Sequence, residues 1–287
     1  MPPPHAKQPH TGAKASLKRR VDVILPAGGR ISGEFAELAG VETKALIRWG
    51  ERTILQRTLE TFHSIDGVNR VTVIGGDDVL EQAREYEVEG VVREGGSGPE
   101  NIFRGLEWLR AQPNPADRVV IATTDLPFLT PQAVAHFLNA CRDEAHIGVP
   151  VVRGEVFDTH FPNTVSEYVS LKEGQVTIGC VFQISPEALF RARPQIEQLF
   201  EARKNILAMA RTVGVGTILR LLTKQLAVRH IEARCQKAIG CSGYAVMDAH
   251  PELAYDIDTI EDYKIALKHF AEREASLKRP VEGEEFS

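Results

Sequence analysis

Four runs in the first 152 residues are apolar at nearly every position: "VDVIL" (21–25), "VTVIG" (71–75), "VVIAT" (119–123) and "IGVPVV" (147–152). Strands covered on both faces read this way, because a parallel sheet carries helices on each side. Between these runs the apolar period lengthens: Leu55, Leu59 and Phe62 recur at i, i+4 and i+7, as do Ile102, Leu106 and Leu109. That spacing is the stripe of an amphipathic helix. The alternation predicts an α/β fold, a mostly parallel doubly wound sheet in three layers. After Val152 two strand-like pieces, "SEYVSL" (166–171) and "QVTIGCVFQI" (175–184), meet across Gly174 and predict an added hairpin. Residues 187–239 then predict a helical elaboration, with leucines interleaved by Arg203, Lys204, Arg211, Arg220, Lys224 and Arg229. A solvated basic face and a binding surface both fit that mixture.

The organisation expected is a disordered basic tail over 1–19, one domain over 20–272 that includes a helical subdomain at 187–239, and a polar tail over 273–287. The first twenty residues carry five cations, many prolines and no acid. The chain has 287 residues, 43% hydrophobic and 25% charged, enough for a sizeable core. A formal charge of −5 argues against a general nucleic-acid binder and points to a small-molecule partner. No apolar run reaches transmembrane length. Four cysteines without a C-x-x-C pair suggest neither a disulfide framework nor a zinc ribbon, so a cytoplasmic setting is expected. The oligomeric state is open, with a dimer as one possibility.

Composition cannot explain "LPAGGRISGEFAELAGVETKALI", in which a buried strand ends at two glycines and the chain returns to a lysine, Lys44. Glycines at the carboxyl edge of a parallel strand let backbone N–H groups approach phosphate oxygens, and an ammonium at the same edge would neutralise them. A plain turn, with the glycines supplying positive φ, is the simpler reading of "AGG" alone. The spacing fits neither a Walker A loop nor G-x-G-x-x-G. Asp125 ends the run "VVIATTD", where it is either a magnesium ligand or a loop or N-cap aspartate before a helix near Pro131. Asp256 and Asp258, in "LAYDIDTIEDYK", are expected on one side of a short strand, where two like charges want a cation. Thr259 and Asp262 read as the start of the following helix.

The set "LPAGG", Lys44, "ALIRWGERTIL", Asp125 and "DIDTIED" resembles, in order and across nearly the whole chain, the nucleotidyltransferases of the glycosyltransferase-A-like fold. Among these it resembles notably the molybdenum cofactor guanylyltransferase-like NTP transferase family and the cytidylyltransferases of isoprenoid synthesis. The resemblance implies nucleotide contacts from Ala27, Gly28, Gly29 and Arg30, with Ser97 and Asn101 of "GGSGPENIFRGLEWL" as further polar contacts. It implies Mg²⁺, or Mn²⁺, on Asp125, Asp256 and Asp258, and Lys44 and Asp125 as catalytic residues. Relatives carry an arginine a few residues beyond the glycines, where Gly33 and Glu34 stand here; Arg30 lies nearer. The implied reaction transfers a nucleoside monophosphate from a nucleoside triphosphate to a phosphorylated or otherwise anionic small acceptor, releasing pyrophosphate. The alternatives are a glycosyltransferase of the same fold and a non-catalytic nucleotide-binding domain.

Overall fold

In the computed structural model, which describes residues 15–86, 88–164, 166–202 and 214–277, each of the four apolar runs lies in a strand. They fall in β1 (Ser16–Pro26), β4 (Asp66–Gly75), β6 (Val119–Ala122) and β7 (Ile147–Arg153). With β5 (Gly90–Arg93), β8 (Val169–Leu171), β9 (Gly174–Ile178), β10 (Val181–Ile184) and β11 (Gly243–Val246), they form one sheet in the order β5-β4-β1-β6-β10-β7-β9-β8, with β11 beside β7. Strands β5, β4, β1 and β6 are parallel neighbours. β10 enters antiparallel between β6 and β7. Two further short strands, β2 (Arg48–Trp49) and β3 (Arg52–Thr53), pair separately.

Both faces of the parallel half are covered, which is why its strands read as continuous apolar runs. Val23 and Leu25 of β1 join one core, and Ile24 between them joins the other. The same division separates Val120 from Val119 and Ile121 in β6. Each such side chain removed from water contributes roughly 1.5–3 kcal/mol. The first core takes Leu55, Leu59 and Phe62 from α2 (Ile54–His63), and the second takes Leu106 and Leu109 from α4 (Gly98–Arg110). Gly105 lets α4 approach closely, since a Cβ there would lie 2.7 Å from Ile74 Cδ1.

The hairpin appears as β8 and β9, with Gly174 at φ 120° in its turn. The expected single run 175–184 is instead two strands. It breaks at Gly179 and Cys180, where a Cβ on Gly179 would lie 2.6 Å from the Leu253 carbonyl oxygen. β9 pairs with the far end of β7 and β10 with its near end.

The boundaries of the tails also move. β1 begins at Ser16, so residues 16–19 belong to the sheet, with Lys18 N–H donating to Asn139 Oδ1 at 2.8 Å. The last helix (Ile260–Leu277) continues past residue 272. Within 187–239 the described helices are Pro186–Ala202, Val215–Leu222 and Val228–Ile239, with residues 223–227 non-helical between the last two. Arg203, Lys204 and Arg211 lie outside the described residues.

Candidate active site

The loop after β1 closes on itself. Ala27 N–H donates to Ile74 O at 2.7 Å, Ile31 N–H to Glu42 O at 2.8 Å, and Lys44 N–H to Gly29 O at 2.9 Å. The excursion between them carries helix α1 (Gly33–Ala39), ended by Gly40 in the left-handed region at φ 71°. Lys44 is thereby delivered back to the glycines. Gly28 and Gly29 do not have positive φ, so the plain-turn account of the pair fails. What Gly28 supplies is absence of a side chain: a Cβ there would overlap Glu94 Oε2. At Gly29 a Cβ would make only ordinary contact, 3.5 Å from Lys44 Cδ.

At the adjacent edge, Lys44 Nζ donates to Asp258 Oδ1 and lies 3.6 Å from Asp125 Oδ2. Asp125 follows β6 and is not a helix cap: Thr130 caps α5 (Pro131–Ala140), its hydroxyl accepting from Ala133 N–H at 3.2 Å. Asp256 and Asp258 sit in a segment outside the strands, a departure from the expected short strand. Its anchor is Ile257 N–H, donating to Asp125 O at 3.1 Å. Thr259 and Asp262 then start the last helix, as expected, with Thr259 N–H donating to Asp262 Oδ2 at 2.8 Å.

The electrostatics of this cluster are those of excess negative charge. Burial pushes Asp125 up, offset in part by the Lys44 ammonium. Burial, with Asp125 and Asp258 beside it, pushes Asp256 up to about 7. Burial alone would lower Lys44, but its hydrogen bond to Asp258 and the surrounding carboxylates hold it above its ordinary value. Three carboxylates face one ammonium, and Asp125 Oδ1 is buried without a hydrogen-bond partner. An orphaned hard oxygen in a carboxylate-rich cluster suits a divalent cation such as Mg²⁺. Among the described residues, however, no three His, Cys, Asp or Glu side chains already converge as a ligand set. The ammonium of Lys44 stands between Asp125 and Asp258 instead.

The remaining expected residues belong to a second network. Arg30 Nη1 donates to Thr43 Oγ1 at 2.7 Å and Nη2 to Glu94 Oε1 at 2.9 Å, with Asp78 Oδ1 at 3.8 Å. Ser97 caps α4, accepting from Glu100 N–H at 3.3 Å. Asn101 is buried and its Oδ1 accepts from Gly95 N–H at 2.6 Å, which orders the glycine-rich turn. Both side chains thus have structural partners beside the expected nucleotide edge. Sequence reasoning missed Glu94, Thr43 and Asp78. Glu94 directly precedes the quoted "GGSG" turn, but nothing in its local pattern links it to Gly28, 66 positions earlier.

A parallel sheet with a glycine loop, a returning lysine and several carboxylates at one edge has the architecture of an open α/β protein that binds its ligand at the carboxyl ends of the strands. The MobA-like NTP transferase domain model matches residues 23–241. The chain belongs to that family and is a nucleotidyltransferase. A hypothetical transferase from Thermus thermophilus is similar over 85% of this chain and 99% of its own, at 30% identity and a TM-score of 0.74. Two more distant structures share the fold. One is CMP:2-keto-3-deoxy-manno-octonic acid synthetase complexed with CTP, with 15% identity, 88% and 99% coverage and a TM-score of 0.54. The other is 4-diphosphocytidyl-2C-methyl-D-erythritol synthase from Anaerococcus prevotii, with 13% identity, 91% and 97% coverage and a TM-score of 0.52. No protein of curated function matches by sequence. Among the described residues no helix is long and apolar enough to cross a membrane.

Proposed function

We propose that the protein transfers a nucleoside monophosphate from a nucleoside triphosphate to an anionic small-molecule acceptor, releasing pyrophosphate, with Mg²⁺ held by Asp125 and the Asp256–Asp258 segment. The observation that carries this reading is the meeting of Lys44, Asp125 and Asp258 beside the glycine loop, from three distant parts of the chain. Bound Mg²⁺ would supply charge neutralisation at the phosphate oxygens. Lys44 would stabilise charge developing on the α-phosphoryl group, and its ion pairs keep the ammonium protonated at neutral pH. Backbone N–H groups at Gly28 and Gly29 would orient the leaving phosphates. The closed excursion from Arg30 to Thr43 fixes Lys44 relative to those amides, so alignment costs little reorganisation. No covalent protein nucleophile is needed, and Cys180, the thiol among these carboxylates, is held protonated by burial and by the neighbouring Asp256, Asp125 and Asp258.

The test is pyrophosphate release with each of four nucleoside triphosphates and Mg²⁺ against a panel of phosphorylated sugars, alcohols and cofactor precursors. Release that needs both an NTP and an acceptor is expected. Release of a nucleoside diphosphate from sugar nucleotides would replace this reading with glycosyl transfer. Nucleotide binding without turnover on any acceptor would replace it with a non-catalytic role.

A further inference from the structure

We infer that Glu94 is an internal occupant of the glycine cradle. Its carboxylate holds the place of a phosphate group, and Arg30 exchanges Glu94 for that phosphate when a polyphosphate binds. The inference rests on the proposed binding of a triphosphate at the glycine loop.

Two glycines from different strand ends make room for one ion pair. At Gly28, after β1, any Cβ would overlap Glu94 Oε2. At Gly76, after β4, a Cβ would lie 2.7 Å from Arg30 Nη2 and 3.2 Å from Glu94 Oε1. The space beside the two glycines is therefore filled by a carboxylate oxygen similar in size and charge to a phosphate oxygen. Arg30 has a second anchorage that does not depend on Glu94. Its Nη1 donates to Thr43 Oγ1 at 2.7 Å, and Thr43 in turn donates to Asp78 Oδ2 at 2.7 Å. If Glu94 swings away, Arg30 stays at the loop and Nη2 loses its closest acceptor, keeping only Asp78 Oδ1 at 3.8 Å.

Only a side-chain motion is required. Glu94 N–H is fixed to Gly75 O at 3.0 Å, so the backbone of the β5 end remains in the sheet. Both partners are partly exposed, and such a pair gains little from its Coulomb attraction in water. A polyphosphate offers the guanidinium more charge and more acceptor oxygens than one carboxylate, so it can displace Glu94. Glu94 left in place would instead repel the ligand. The carboxylate thus sets a threshold on phosphate charge: monoanionic ligands should compete poorly and triphosphates well.

Binding of inorganic tripolyphosphate and of the four nucleoside triphosphates, measured by titration calorimetry with the full-length protein, tests this directly. Glu94→Gln and Glu94→Ala should each tighten tripolyphosphate binding roughly tenfold, because a repelling charge at contact distance has gone. The gain should shrink in an Arg30→Ala background, where no guanidinium is released. Thermal melting of every variant establishes that the fold is retained. If wild-type protein binds these ligands and neither Glu94 variant binds more tightly, the cradle inference is wrong while the triphosphate reading stands. If wild type and both folded variants bind none of them, both fall together.

Discussion

Lys44 and Asp258, 214 residues apart in the chain, share a hydrogen bond from Nζ to Oδ1, and Asp125 lies 3.6 Å from the same ammonium. One cation thus joins the loop after the first strand to the segment before the last helix. Lys44→Ala should lower the pyrophosphate release rate by about 10²–10³-fold, the usual cost of losing a preorganised charge in a transition state. Nucleotide affinity should change much less. A rise in KM at constant kcat would make Lys44 a ground-state binder.

Asp125 gives a prediction in which activity and stability part. Burial disfavours its charged form, and its Oδ1 has no partner. The carboxylate is therefore a cost to the metal-free fold that a bound cation would offset. Asp125→Asn keeps the volume and removes the charge. Turnover should fall by about 10³-fold or more while Tm holds or rises, and the stabilisation that Mg²⁺ gives wild type should disappear. Normal Mg²⁺-dependent turnover in this variant would remove Asp125 from the site.

Adjacent glycines should tolerate a methyl for different reasons. Gly28→Ala forces Glu94 aside, whereas Gly29→Ala adds a methyl at ordinary distance from Lys44. Because the atom in the way at Gly28 is the far end of a flexible, partly exposed side chain, Gly28→Ala should cost less than about 1 kcal/mol, the worth of the surface ion pair it breaks, and Gly29→Ala should leave Tm nearly unchanged. A much larger fall in Tm for Gly28→Ala, recovered by adding Glu94→Ala, would show that Glu94 is held rigidly at the loop and would contradict its easy displacement.

How much of this was legible follows from the range of each interaction. The parallel strands and the α2 and α4 stripes were readable because burial on two faces writes itself into every residue of a short run, as at Val23, Ile24 and Leu25. Gly28, Lys44, Asp125 and Asp258 could be assembled only through a family resemblance, since no local pattern joins residues so far apart. The Arg30–Glu94 pair escaped both routes, because Glu94 lies in a loop without periodicity and its partner is set by the order of strands. Residues 16–19 were misread as tail because their charged side chains face water while the backbone of β1 extends the sheet. The run 175–184 was misread as one strand because apolar content does not record a change of neighbour.

His269 couples stability to pH. It is 7% exposed, with its ring 5.7 Å from Phe161 and 6.4 Å from Phe128 between centroids. Burial lowers its pKa below the ordinary 6.5, Glu272 opposes this in part, and Arg273 adds to the lowering. The folded state therefore takes up this proton at lower pH than the unfolded chain does. The stabilisation is complete above the unfolded value and is lost as pH falls through it towards the folded one. Asp256, raised to about 7, acts in the opposite direction over the same range in both proteins, so the prediction is a difference: as pH falls through about 6.5, wild type should lose Tm relative to His269→Gln. Parallel Tm profiles for the two proteins would show that His269 is not a source of the slope.

The helix Val215–Leu222 yields the last prediction. Leu219 and Leu222 are 61% and 76% exposed, whereas Leu226, beyond the helix, is buried among Val151, Leu171 and Val176. The chain is pinned just past the helix, where Lys172 N–H donates to Leu226 O at 2.8 Å and Val228 N–H donates to the Glu173 carboxylate. A helix with apolar and basic positions outward can close over an anionic acceptor or pair with a second copy of the chain. Lys224 beside the leucines favours the acceptor, since self-association faces are depleted in lysine, while Arg220 suits either occupant. Arg220→Ala with Lys224→Ala should raise the acceptor KM about fivefold or more and leave the nucleotide KM unchanged, the signature of lost charge-assisted contacts to one substrate. A changed sedimentation coefficient with unaltered acceptor kinetics would assign the helix to self-association and discard the lid.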